Sequence, residues 1–105
     1  DDMLIIRGVN VYPSQIEAVL VGRPGIAPHY QLVVERHGAL DQLRVEVEAL
    51  ADTGADGRAA LADDVRHHIK SLIGVTVEVA VMGPGQLPRS EGKAVRVRDL
   101  RSKGN

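Results

Sequence analysis

Cysteine, tryptophan and phenylalanine are absent from this 105-residue chain, and tyrosine occurs only twice. Without cysteine there is no disulfide and no thiolate metal site, which suits a reducing compartment; the expected location is the cytoplasm. With only 2% aromatic residues, the chain offers bases no platform of rings to stack on, and no nucleic-acid partner is expected. Long apolar runs are missing as well. None approaches the roughly 20 residues of a membrane span, no signal peptide is visible, and no membrane partner is expected. Nor does either sign of charge dominate. Thirteen Lys and Arg stand against fourteen Asp and Glu, a net charge of −1, so no global field recruits polyanions.

What the chain does have is an ordinary apolar fraction of 44%, carried by Val, Leu, Ile and Ala. At this length it makes one domain, with about two-thirds of its unfolded surface buried. It opens on Asp1-Asp2 and a strand signal, with no initiator methionine ahead of them. It reads as a piece of a larger protein.

Residues 3–6 and 9–12 are two short apolar runs separated by Arg7-Gly8. Gly8 tolerates a positive φ, so a tight β-hairpin is expected. Pro13 pre-sets the φ of a first helical turn, and Ser14 and Glu17 bring polar groups to its open N–H end. Ile16, Val19 and Leu20 then fall at helical spacing, which predicts a short helix over 13–21, stopped by Gly22 and Pro24. Residues 25–28 read as a loop. Tyr30, Leu32 and Val34 alternate with polar positions, and after the turn at His37-Gly38-Ala39 comes the clearest strand. It carries Leu43, Val45, Val47 and Ala49 on one face and Arg44, Glu46 and Glu48 on a face expected to be solvated. Residues 51–57 read as a polar linker. Leu61, Val65, Ile69, Leu72 and Ile73 predict a helix over 58–73, ended by Gly74, and residues 75–81 alternate as a further strand. A short extended run at 94–97 leads into a basic tail read as frayed and solvated.

This order predicts an α+β domain: a small, largely antiparallel sheet with two helices, preceded by a separate β-hairpin. Ferredoxin-like modules share that order, and pattern alone does not choose among them. No metal site is expected. His67 and His68 are adjacent on a helix and point about 100° apart, and His29 and His37 have no acidic residue at ligand spacing. Asp63-Asp64 read as a solvated helix face.

Two stretches carry more chemistry than the rest. The first is Arg89-Ser90-Glu91-Gly92-Lys93-Ala94-Val95-Arg96-Val97, preceded by Gly83-Pro84-Gly85-Gln86-Leu87-Pro88. Glycine frees the backbone and proline removes donors, so this approach is neither helix nor central strand. It leaves one lysine on a Gly-rich loop, beside a residue with no side chain to keep a ligand away from the backbone. A lysine is a compact charge on a flexible stem, suited to phosphate or carboxylate oxygens, although a Gly-Lys pair alone is commonly just a solvated turn. The second stretch is the opening Asp1-Asp2-Met3-Leu4-Ile5-Ile6-Arg7-Gly8-Val9-Asn10-Val11-Tyr12-Pro13-Ser14-Gln15-Ile16-Glu17.

Together, in order and at opposite ends, these stretches resemble the C-terminal domain of the adenylate-forming acyl–coenzyme A ligases, most closely the phenylacetate–coenzyme A ligase branch. The resemblance implies that residues 1–105 are a single mobile lid on a large N-terminal domain of the same enzyme. That domain would hold the small aryl acid substrate and, in the main, ATP and Mg2+. Lys93 matches the catalytic lysine that bridges the attacking carboxylate and the phosphate oxygens in adenylation, with Gly92 on the nucleotide side. Asp1 matches the hinge on which the lid swings. After the swing, Arg7, Gly8, Val9 and Asn10 would lie on the coenzyme A side, where the thiol attacks the acyl-adenylate. Asn10 departs from the arginine common in the wider superfamily. The implied activity is ligation of a carboxylic acid such as phenylacetate to coenzyme A, with AMP and pyrophosphate released. The alternative is a non-catalytic α+β regulatory or interaction module whose loop lysine is incidental.

Overall fold

Short alternating runs make the first element, a hairpin of β1 (Leu4–Ile6) and β2 (Val9–Val11), paired Leu4 to Val11 and Ile6 to Val9. The turn between them places Arg7 at φ +47° and Gly8 at φ +81°. Positive φ at both central residues is what a two-residue hairpin of the primed type needs, because it matches the twist of the strands. Period two then buries Leu4, Ile6 and Val11 and leaves Ile5 and Asn10 outside. These positions belong to a computed structural model that describes residues 2–88 and 96–101.

Helix α1 (Pro13–Val21) has the expected bounds and buries Ile16, Val19 and Leu20. Its N-terminus is closed by Gln15, whose Oε1 accepts from the Tyr12 N–H at 3.1 Å. β3 (Ile26–His37) begins earlier than the alternation at Tyr30 predicts, so the expected loop at 25–28 is largely strand. Ile26 pairs with Ala49 and Tyr30 with Val47, so β3 carries two extra residues at an irregularity in the ladder. Pro28 sits within it, where a residue with no N–H leaves no ladder bond missing.

β4 (Leu40–Ala49) returns antiparallel and buries Leu43, Val45, Val47 and Ala49 as expected. α2 (Gly54–Ile73) starts four residues before the predicted 58, and it ends at Gly74, whose φ of +86° is the left-handed stop that glycine favours. The chain then passes the buried Val75 and Val77 before β5 (Glu78–Met82) pairs parallel with β4. β6 (Val97–Asp99) pairs parallel with β3, giving the sheet order β5-β4-β3-β6. Antiparallel pairing thus holds for the hairpin and the long central ladder, while the two outer strands join it parallel.

One apolar core joins the inner side of the hairpin, both helices and one face of the sheet; Ile6, Ile16, Leu43 and Ile69 are completely buried in it. The other sheet face is not fully solvated, contrary to expectation. Val33 and Glu48 are buried there, and the Glu48 carboxylate accepts from the Leu87 N–H at 3.3 Å, itself a buried residue. The Gly-Pro approach to the lysine segment therefore folds back onto the sheet. The hairpin, meanwhile, keeps its turn beside the start of β4.

Candidate functional site at the hairpin turn

Gly8 is the site's fixed point. Its left-handed φ explains the glycine, and an added Cβ would meet nothing within 4 Å, so one side of the turn stands open. Beside it runs a shallow cleft of about 470 Å³ lined by Ile5, Arg7, Gly8, Arg36, Ala39, Leu40 and Asp41. Ile5 and Leu40 are exposed apolar side chains on its walls. Of the residues expected on the coenzyme A side, the cleft gathers Arg7 and Gly8. Val9 packs against the core, and Asn10 is exposed opposite Ile5. Asp1, Gly92 and Lys93 lie outside the described residues.

Asp41 organises the charges around the cleft. Its carboxylate accepts from Arg36 Nε at 2.7 Å and from Arg101 Nη1 at 2.8 Å. The Arg36 bond first and the Arg101 bond second lower its pKa to about 2. Arg101 also grips Asp99 at 2.8 Å, which raises the guanidinium further above its ordinary value, with Asp41 adding to it. Arg101 further donates to the Ile5 carbonyl at 3.3 Å. The tail expected to fray is thus held as far as Arg101. Sequence reasoning passed over Asp41, Arg36 and Arg101, because they are 5 and 60 residues apart and no local motif joins them.

The segment bearing Lys93 is held at both described flanks. On the approach, Gly83 N–H donates to Gln86 Oε1 at 2.9 Å, and Leu87 is bound by Glu48. On the exit, Arg96 donates to Glu17 at 2.8 Å and lies 4.9 Å over the Tyr30 ring, while its carbonyl accepts from the Leu32 N–H at 2.7 Å. Arg96, read from sequence as part of a short extended run, is a joint between α1, β3 and the lysine segment.

An open turn glycine and apolar walls suit a narrow, partly apolar molecule. Among the described residues no three His, Cys, Asp or Glu side chains gather in one place. His68 is bound instead to Arg23, with Nε2 at 2.8 Å from the guanidinium.

Residues 8–101, from the turn glycine to the held arginine, match the family model described as AMP-binding enzyme C-terminal domain. The chain belongs to that family. As an AMP-binding enzyme C-terminal domain it is 49% identical over 105 aligned residues to the phenylacetate–coenzyme A ligase of Escherichia coli (strain K12), covering 97% of this chain. It spans 24% of that relative's length. Among solved structures it resembles a domain of phenylacetate–coenzyme A ligase from Bacteroides vulgatus ATCC 8482, with TM-score 0.87 and 36% identity over 99% of this chain and 97% of that one. It also resembles 2-hydroxyisobutyryl-CoA ligase, solved with 2-HIB-AMP and CoA in the thioesterification state. There the TM-score is 0.85 and the identity 34%, over 96% of this chain and 22% of that one. The same ligase is matched in a postadenylation state and in an open conformation, each with TM-score 0.80.

Proposed function

We propose that this domain is the mobile lid of an AMP-forming acid–coenzyme A ligase acting on an aryl acid such as phenylacetate in the cytoplasm. The observation that carries the reading is the likeness to 2-hydroxyisobutyryl-CoA ligase, a relative solved with both an acyl-adenylate and CoA. A single fold matched in thioesterification, postadenylation and open forms fits a lid that serves two steps in turn. ATP, Mg2+ and the acid are assigned mainly to the N-terminal domain of the same enzyme.

In the first step the acid's carboxylate attacks the α-phosphate of ATP and pyrophosphate leaves. Both reactants are anionic, and a cation placed on both offsets the repulsion and the charge developing in the transition state. That cation is assigned to Lys93, with Gly92 giving the nucleotide close approach to the backbone. Rotation about Asp1 then exchanges the lysine segment for the hairpin. In the second step the coenzyme A thiol loses its proton and attacks the acyl carbonyl, and AMP leaves. Arg7, Gly8, Val9 and Asn10 are assigned to the coenzyme A side, where the open flank of Gly8 admits a narrow chain.

The test is an assay of the full-length enzyme with ATP, magnesium, phenylacetate and coenzyme A. The expected products are phenylacetyl–coenzyme A, AMP and pyrophosphate in equal amounts, with none from the 105-residue chain alone. Thioester from the isolated chain, or none from the full-length enzyme with any aryl acid, would contradict the reading.

A further inference from the structure

Both terminal nitrogens of Arg7 donate inward, to main-chain oxygen. Nη1 donates to the Asp41 carbonyl at 2.5 Å and Nη2 to the Thr76 carbonyl. Asp41 is the second residue of β4, and Thr76 lies between α2 and β5. One side chain therefore ties the hairpin turn to two segments 34 and 69 residues away. The backbone of the same residue sits at φ +47°, a left-handed conformation that is unfavourable for a residue bearing a side chain. Asparagine, aspartate or glycine would suit that turn position better. Arginine there is locally unfavourable, and the bonds its guanidinium makes beyond the turn offset the strain.

A second strap runs parallel to the first. Arg101 Nη1 donates to the Ile5 carbonyl on β1 and to the Asp41 carboxylate. Asp41 thus seats both straps, its carbonyl taking Arg7 and its carboxylate taking Arg101. A ribbon of two three-residue strands is marginal by itself, and the core holds only its inner side through Leu4, Ile6 and Val11. The straps fix where the turn points.

We propose that Arg7 is a positioning residue for thioester formation: it holds the Gly8 turn in the direction from which coenzyme A is received and makes no contact with coenzyme A itself. The inference rests on the ligase reading above and narrows it, because Arg7 then acts on the coenzyme A side through the turn's geometry. A ligand contact and a positioning role separate in steady-state kinetics. Losing a contact made equally in ground and transition states raises KM, whereas misplacing the reacting groups lowers kcat.

The experiment follows thioester formation from pre-made phenylacetyl-adenylate in the full-length enzyme while coenzyme A is varied. Arg7→Ala is expected to lower kcat about 10- to 100-fold, as a displacement of around 1 Å does, with KM for coenzyme A changing less than about twofold. Arg7→Gly relieves the left-handed backbone but removes both bonds, so it should be about as slow as Arg7→Ala. Arg7→Lys reaches one carbonyl and should recover part of the rate; it carries the same test if the alanine variant is unstable. Adenylation, measured by pyrophosphate release, should stay near wild type in all three and shows that they are folded. A raised KM with kcat unchanged would overturn the inference by making Arg7 a ligand of coenzyme A. Unchanged kinetics in all three variants would overturn it as well. If the wild-type enzyme itself made no thioester from the adenylate, the ligase reading would fall; a deviant Arg7 result beside an active wild type defeats only this inference.

Discussion

Asp41 shows how one carboxylate organises a surface that no local motif announces. It receives Arg36 and Arg101 on its side chain and Arg7 on its carbonyl, and its pKa falls from the ordinary 3.8 to about 2. A depressed folded-state pKa contributes stability that is present above the unfolded value and lost as pH falls through the folded one. The acid limb of the domain's stability should therefore fall between about pH 4 and pH 2. Melting temperature against pH checks this: Asp41→Asn should flatten that limb and leave the profile above about pH 5 merely lowered. An unchanged slope between pH 4 and pH 2 would show that Asp41 titrates as an ordinary carboxylate. The turn residues were partly legible in advance. Gly8 was expected at positive φ because glycine separates two apolar runs, but nothing local marked Arg7 as left-handed, since its reasons lie at Asp41 and Thr76.

At the scale of elements, strong periodicity was the reliable guide. Residues 13–21 and the alternation around Val45 read true because each shows one face to the core. Boundaries failed where composition and tertiary context disagree. The first turn of α2 contains Gly54 and Gly57, poor helix formers that read as linker, and Pro28 disguised the start of β3 until the irregularity beside it explained how it fits. The partly covered far face of the sheet was not legible either, because Leu87 and Glu48 are 39 residues apart. Their pairing gives a prediction for the approach to the lysine segment. Glu48→Ala leaves the buried Leu87 N–H without that acceptor and should cost about 1–3 kcal/mol in denaturant unfolding of the domain. Glu48→Gln keeps an acceptor oxygen and should cost less. Equal losses for both would mean that the charge, and not the hydrogen bond, matters at that position.

For the whole molecule, one core joins the hairpin, both helices and one face of the sheet. The hairpin turn stands beside β4 with its cleft open, and the described flanks of the lysine segment are held, Leu87 by Glu48 and Arg96 by Glu17 and Tyr30. Under the proposed function, the hairpin and the lysine segment are offered in turn to the N-terminal domain of the same enzyme. The α+β order was legible from periodicity and the family from the two end motifs, whereas Lys93, Gly92 and Asp1 are assignments by resemblance. The most direct test of the account is Lys93→Ala in the full-length enzyme, with the half-reactions followed separately by pyrophosphate release and by thioester formation from added acyl-adenylate. Adenylation should fall by about 10²–10³-fold, as when one preorganised donor is lost, while thioester formation stays near wild type. Adenylation untouched by the substitution would contradict the account and leave Lys93 a residue of a surface turn.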